Sequence, residues 1–387
     1  MQKNYCLPYW SHSTYEIISG KQPYYIHAKS SESKKHYVII NYDILKEWSS
    51  FLSLIPFDCM VIDECHYIAN FKSQRTKETV TLSKSIDRFV ALSGTPFKNR
   101  PVEFFMVLNI INPTMFPTFM DYGIRYCDGQ KNKYGWDFTG SSNMDELHEK
   151  LKDIMIRRVK GDVLKELPPK MRNVVPIQIS NQKEYSQASN DFRTWLLKVT
   201  KSRARLDKAL KAEALVKIEH LKQLVLKGKK KQIIQWVRDF LSVEDKLVLF
   251  GIHKSALDFL EKEFSDICVK VDGSVKDYER EKAVSDFQNN KDIKLFLGNI
   301  KAAGVGLTLT TASSTAFIEL PWTPADLEQA EDRVHRIGQA KHVNSYYLID
   351  ESTIEGDLRD LIWDKKDIKD AILDGLDILP RLNRQEF

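Results

Sequence analysis

Asp63 and Glu64 follow the apolar run Cys59-Met60-Val61-Ile62 without a spacer, and Cys65 and His66 come directly after them. An apolar run that ends in paired carboxylates has the pattern of a buried parallel strand delivering acids at its carboxyl end, where open α/β sheets bind ligands. One such acid can hold a divalent cation, and its neighbour can orient or deprotonate a water molecule. Far along the chain, Arg333 and Arg336 lie four and seven residues after Gln329. On a helix these three share one face. Two guanidinium groups presented together are fixed, always-charged, forked donors, which is what a nucleotide γ-phosphate requires.

The element that carries the arginines has its ends marked. Thr323 can cap a helix, Pro324 suits the first turn, and Asp326 stands three residues after the cap. Gly338 suits a left-handed stop, and Ala330, Val334 and Ile337 are expected to turn inward. The acids need a strand over residues 59–63. A second strand over 89–93 breaks into Ser93, Gly94, Thr95 and Pro96, a turn that lets backbone come close to a phosphate or a neighbouring loop. A third, over 293–298, leads into a loop in which Gly304 and Gly306 remove side chains where backbone must approach a sugar-phosphate. A fourth, over 315–320, runs into Pro321, Trp322 and the arginine helix. Further strands are expected near 37–41, 246–251 and 268–271, and helices over 255–264, 278–287 and 357–373. Strands alternating with helices predict an α/β fold with parallel sheets.

Four stretches in this order resemble the Swi/Snf-type branch of the superfamily-two helicase-like ATPases. They are Val61-Ile62-Asp63-Glu64-Cys65-His66, Leu92-Ser93-Gly94-Thr95-Pro96, Ala302-Ala303-Gly304-Val305-Gly306-Leu307-Thr308-Leu309, and the run from Gln329 through Arg333 and Arg336 to Gln339. The segment Tyr122-Gly123-Ile124-Arg125-Tyr126-Cys127-Asp128, with residues 134–143 and Met155-Ile156-Arg157-Arg158, is similar to the HARP-like annealing helicases, which rewind or remodel branched DNA. The similarity covers residues 37–375. Cys65 stands where that family normally has Ala, Gly or Ser.

The resemblance implies two RecA-like parallel-sheet lobes with helical insertions between them. It implies ATP and Mg²⁺ as cofactors and double-stranded or branched DNA as partner. Asp63 would coordinate Mg²⁺, and Glu64 would activate water. Arg333 and Arg336 would reach the γ-phosphate across the cleft between the lobes and stabilise charge in the transition state. His66, Gly304, Gly306 and Gln329 would meet the nucleotide. Ser93 and Thr95 would couple the nucleotide site to lobe movement. Thr308 and Trp322 would act on the nucleic-acid side, and Gly304, Gly306 and Thr308 would meet the DNA backbone or the ribose.

These motors hold the β- and γ-phosphates with G-x-x-x-x-G-K-S/T. That string does not occur here: Gly20-Lys21 is followed by Gln22, and Gly228-Lys229 by Lys230. The chain therefore reads as the carboxy-terminal portion of such a motor, with its first lobe incomplete and no activity alone. A separate amino-terminal half carrying the phosphate loop is an expected partner. Loss of a central strand would expose the apolar edges and faces beside the strand ending at Asp63. The alternative is a DNA-binding module without ATPase activity of its own. A metal-dependent nuclease is disfavoured, because Asp63 and Glu64 have no partner acid cluster.

On this reading residues 1–112 are the remnant of lobe one. Residues 113–243 form a connector with a rigid joint at Leu167-Pro168-Pro169 and a basic helical segment. Residues 244–350 form lobe two, and 351–387 a bracing helix and tail. Within 196–238, thirteen Lys or Arg stand against three acids, and Leu215, Ile218, Leu221 and Val225 make a helical stripe. Such a segment is either a phosphate-tracking surface or a solvated helical face. The 387 residues, 42% hydrophobic with a net charge of +5, can bury two or more cores. No run of about 18 apolar residues predicts a transmembrane helix. The five cysteines are scattered without metal spacing and read as reduced thiols, and no zinc is expected. An intracellular place follows, in a bacterial or viral-host cytoplasm or in a nucleus.

Overall fold

The computed structural model describes residues 13–24, 26, 35–133, 135–201, 208–303 and 306–374. The chain divides into two compact units, residues 1–156 with 368–387, and residues 157–367.

Among its described residues the first unit holds three small sheets. β1 (Ser13–Ile17) pairs in parallel with β2 (Lys35–Ile39). β3 (Met60–Ile62) pairs in parallel with β4 (Phe89–Ala91), Ile62 opposite Ala91. β5 (Gln130–Asn132) and β6 (Gly135–Asp137) form an antiparallel hairpin. The helices are α1 (Leu45–Leu52), α2 (Gln74–Ser83), α3 (Phe105–Ile111), α4 (Phe119–Tyr126) and α5 (Met144–Leu151). Their caps are local: the Ser73 hydroxyl accepts the Thr76 N–H at 3.4 Å, and Thr118 accepts the Asp121 N–H at 3.1 Å. An aromatic-rich core of Ile62, Phe97, Phe104, Phe105, Phe116, Tyr122 and Tyr126 fixes β3 against α3 and α4. Side chains alternate across a strand, so Ile62 turns inward while Val61, Val90 and Leu92 turn out, 59%, 43% and 47% exposed. That is the bare apolar face expected beside the strand ending at Asp63.

The second unit is built on one six-stranded sheet. Its elements are α6 (Lys160–Val163), β7 (Lys170–Pro176), α7 (Gln182–Lys201), α8 (Lys208–Val243), β8 (Leu247–Gly251), α9 (Lys254–Glu263), β9 (Cys268–Val271), α10 (Asp277–Asn289), β10 (Leu295–Asn299), α11 (Ile300–Ala303), β11 (Ser314–Phe317), α12 (Pro324–Glu331), β12 (Val343–Ile349) and the larger part of α13 (Ile354–Asp374), whose residues from Ile368 on belong to the first unit. The order is β7-β12-β11-β8-β10-β9, every neighbouring pair parallel. β8 is buried along its whole length, as a strand covered on both faces must be. Val248, Phe250, Phe296 and Phe317 fill one face, and Leu247, Leu249, Leu295 and Leu297 the other.

Two expectations are corrected. The sequence placed residues 170–176 in a connector, yet they form the edge strand β7 beside β12. The basic segment is also less open than its composition implies. Leu221 and Val225 of its stripe are buried but Leu215 is exposed, and Lys222 and Lys229 lie inside. Lys229 Nζ donates to the Leu348 carbonyl at 2.7 Å and to Glu355 at 2.5 Å. Gly228 allows α8 this close approach: its carbonyl accepts from Ser180 N and Oγ, and a Cβ there would fall 1.9 Å from Asn181 Oδ1. Among the described residues no helix is long and apolar enough to cross a membrane. Cys59, Cys65, Cys127 and Cys268 are free thiols.

Candidate active site

β3 stops at Ile62 and the chain turns at once. Leu92 N–H donates to the Ile62 carbonyl at 2.7 Å, and Cys65 N–H donates to the Leu92 carbonyl at 2.9 Å. Between them Glu64 takes left-handed backbone, φ 49° and ψ 54°. Non-glycine residues adopt that region rarely, and such strain gathers at functional sites. Asp63 Oδ1 accepts the Glu64 N–H at 3.0 Å, and the Tyr42 hydroxyl donates to the Asp63 carbonyl at 2.8 Å.

The turn aims the Glu64 carboxylate at the end of β4. Ser93 Oγ donates to Glu64 Oε2 at 3.3 Å, and His66 Nδ1 lies 3.1 Å from the same oxygen. Ser93 Oγ also accepts the Thr95 N–H at 3.0 Å. The His66 hydrogen bond, with help from Ser93 and Lys98, outweighs half-burial and holds Glu64 below its usual carboxylate range. Burial pushes the Cys65 thiol up to about 12, so it is inert rather than nucleophilic. His66 Nε2 and Thr95 Oγ1 are buried with no hydrogen-bond partner among the described residues. Two orphaned polar atoms beside an ionised carboxylate are what a polar ligand would satisfy.

The donor set fits a magnesium ion. Asp63 is exposed and takes one backbone N–H. Among the described residues no group of three or more His, Cys, Asp or Glu side chains is placed to hold a metal. Mg²⁺ needs no such cage, since it binds through one or two carboxylates plus waters and phosphate oxygens.

In the second unit α12 begins as its sequence implies: the Thr323 hydroxyl accepts the Asp326 N–H at 3.2 Å, and Pro324 opens the helix. It ends earlier, at Glu331, and the residues up to Gly338 (φ 98°) continue as turns. Arg333 and Arg336 therefore leave from turns rather than from a shared helical face with Gln329. Ala330 and Val334 are buried as expected, but Ile337 is 78% exposed because the turn rotates it outward.

The turns are stitched to the loop after Gly306, itself left-handed at φ 75°. Leu309 N–H donates to the Arg333 carbonyl at 2.9 Å, and Gln339 Nε2 donates to the Ala312 carbonyl at 2.8 Å. Arg333 is buried, its guanidinium donating to the carbonyls of Gln329 (3.1 Å) and Leu307 (3.4 Å). Arg336 is half-buried and donates to Thr308 Oγ1 at 3.3 Å and to the Asp332 carbonyl at 3.1 Å. Gly306, Thr308, Gln329, Arg333 and Arg336 thus form one neighbourhood. Gly304 lies outside the described residues. Trp322 is set apart at the other end of α12, a helix roughly 12 Å long, and its ring lies 5.3 Å from Lys222 Nζ.

Sequence reasoning missed two groups that hold these parts. Glu331 is fully buried and accepts from Lys170 at 2.7 Å, from Arg172 at 2.7 and 2.9 Å, and from the Tyr347 hydroxyl. Burial pushes its carboxyl upward, but Arg172 and Lys170 outweigh that and hold it at about 2. It ties α12 to β7 and β12. At the carboxyl ends of β8 and β11, His253 bridges two carboxylates, Nδ1 donating to Glu319 and Nε2 to Glu219. Glu319 also accepts the backbone N–H groups of Ile252 and His253 at 2.8 and 3.0 Å. No spacing in the sequence announces either group, since the partners come from distant strands and helices.

The chain is similar to known proteins over most of its length. The SNF2-related domain matches residues 9–233, and the helicase conserved C-terminal domain matches residues 216–338. The SWI/SNF-related matrix-associated actin-dependent regulator of chromatin subfamily A-like protein 1 of Xenopus tropicalis is 34% identical over 344 residues, 87% of this chain and 36% of that protein. The DNA annealing helicase and endonuclease ZRANB3 of Mus musculus is 34% identical over 334 residues, 82% of this chain and 30% of that protein. The Sulfolobus solfataricus SWI2/SNF2 ATPase core in complex with dsDNA is 22% identical, covering 94% of this chain and 78% of that one, with a TM-score of 0.44. The chain spans about a third of the length of the curated relatives it matches. With more than half of its residues matched by the SNF2-related domain, the chain belongs to the Swi/Snf-type family of superfamily-two helicase-like ATPases.

Proposed function

We propose that these residues are the motor part of a DNA-dependent ATPase that uses ATP and Mg²⁺ to act on double-stranded or branched DNA. Asp63 would hold the cation through its exposed carboxylate. Glu64, ionised and oriented by His66 and Ser93, accepts the proton of the attacking water. Mg²⁺, when bound, supplies positive charge to the phosphate oxygens. Arg336 and Arg333 are the guanidinium donors to the γ-phosphate, His66 and Gln329 meet the nucleotide, and Ser93 and Thr95 transmit its state. Gly304, Gly306 and Thr308 meet the DNA backbone or the ribose, and Trp322 lies on the nucleic-acid side. The observation that carries this reading is the convergence of Asp63, Glu64, His66 and Ser93 at the end of a parallel strand pair, with two buried polar atoms left without partners.

Tested as these residues alone, the chain is expected to turn over ATP negligibly, because nothing in it matches the lysine and backbone amides that cradle the β- and γ-phosphates. The test is to mix it with a polypeptide carrying a G-x-x-x-x-G-K-S/T loop and measure DNA-stimulated ATP hydrolysis. Activity should appear on mixing and fall by about two to four orders of magnitude with Glu64→Gln. Folded, associated components that stay inactive would favour the second reading, a DNA-binding module without hydrolysis.

A further inference from the structure

The hairpin of β5 and β6 takes no part in the chemistry above. Every residue of its two strands is exposed. A two-stranded hairpin without a buried face is marginal by itself, so something must hold it. Phe138, just past β6, does so. Its ring packs edge-on against Phe119 with centroids 5.2 Å apart, and it lies over Gly123 and Gly129, where a Cβ would come within 2.6 and 2.8 Å of it. Trp136 stacks on Phe138, with centroids 5.8 Å apart and planes 4° from parallel. One indole face is thus seated on a ring rooted in the core, and the residue remains 40% exposed.

The polar groups around the indole define what suits it. Lys131 is the cross-strand partner of Trp136, and directly opposed residues share a face of the sheet. Lys133 stands in the connecting turn. Asp137 alternates to the other face and accepts the Thr139 N–H at 3.0 Å, while Asp128 accepts from the Gln130 amide at 3.2 Å. The other described hairpin residues are polar or glycine. A pre-seated aromatic ring with amines beside it matches a nucleobase that stacks while its phosphate meets a lysine.

We propose that Trp136, with Lys131 and Lys133, is a stacking site for an unpaired nucleotide of a DNA strand. The proposal rests on the DNA-binding part of the function above, and adds to it where an unpaired base is held.

The test uses the whole chain and two labelled probes, a blunt duplex and the same duplex with a single-stranded thymidine tail, followed by fluorescence anisotropy. Trp136→Ala should weaken binding of the tailed duplex about tenfold and leave the blunt duplex unchanged. Trp136→Phe should keep most of the affinity. Lys131→Glu with Lys133→Glu should lower the salt dependence of tailed-duplex binding. Circular dichroism checks that each variant is folded. If Trp136→Ala binds the tailed duplex as tightly as the parent, the assignment is wrong. If the parent binds the blunt duplex and the tail adds nothing, this site fails while the motor reading stands. If the parent binds neither probe, both fall. Self-association that Trp136→Ala abolishes, with tail binding untouched, would reassign the ring to a protein contact.

Discussion

Arg333 and Arg336 carry the same charge three residues apart, yet their surroundings divide their roles. Arg333 is 6% exposed, and its guanidinium satisfies the carbonyls of Leu307 and Gln329. Removing it strands buried acceptors, which costs about 1–3 kcal/mol. Arg336 is half-open and bonds a side-chain hydroxyl and one turn carbonyl. Arg333→Ala should therefore lower unfolding free energy by about 1–3 kcal/mol, whereas Arg336→Ala should stay within about 0.5 kcal/mol. Urea denaturation of the full chain distinguishes them. In the reconstituted motor both should lose hydrolysis, but only Arg336→Ala should do so without a stability change. Equal destabilisation by both would contradict the division. The sequence shows two arginines three residues apart. It does not show that the helix stops at Glu331, where the following turns are tied to a distant loop through Gln339, which donates to the Thr310 and Ala312 carbonyls.

Elements were legible where burial alone decides them. β8 and β10 are apolar runs, β11 is a buried strand that opens on Ser314 and Thr315, and their positions in the chain match the structure within a few residues. β7 was not legible, because Lys170 and Arg172 on it serve Glu331 rather than a hydrophobic face. The joint between α8 and the sheet was hidden for the same reason. There His253 spans Glu319 and Glu219, with the buried Lys222 nearby, whose charge burial disfavours and both carboxylates favour. The Glu319 hydrogen bond, against burial, raises His253 from 6.5 to about 9. A raised pKa contributes stability that is fully present below about 6.5 and is lost as pH climbs through about 9. For Glu319, burial pushes upward but His253 prevails and the shift is downward, so its share is present above its ordinary value and lost in acid. Unfolding free energy should fall by about 2 kcal/mol between pH 6.5 and 9.5, with solvent at the more open Glu219 reducing the full shift. His253→Gln should flatten that slope in a pH series of urea titrations. A parent protein whose slope matches the variant's would show that the bridge contributes nothing.

At the scale of the whole molecule, the two units differ in how completely they cover their sheets. In the second, the central strands of a six-stranded parallel sheet are packed on both faces, and β8 and β10 signal this by apolar runs. In the first, β3 and β4 read equally apolar, but only Ile62 and its core partners are covered, and Val61, Val90 and Leu92 face solvent together. Local sequence could not distinguish these outcomes, because a strand's pattern records that both faces want cover and not whether cover is present. Short parallel strands with an open apolar face invite pairing with other chains. The chain on its own should therefore associate at micromolar concentrations, where transiently exposed apolar surface becomes sticky. Val61→Thr with Val90→Thr keeps β-branched side chains and leaves Ile62 in place, so β3 and β4 should persist while the attractive face is weakened. Light scattering against concentration should show the double variant remaining monomeric beyond the point where the parent associates, with unchanged circular dichroism. A parent chain that stays monomeric, or a variant that associates equally, would mean that this face is not what draws the chains together.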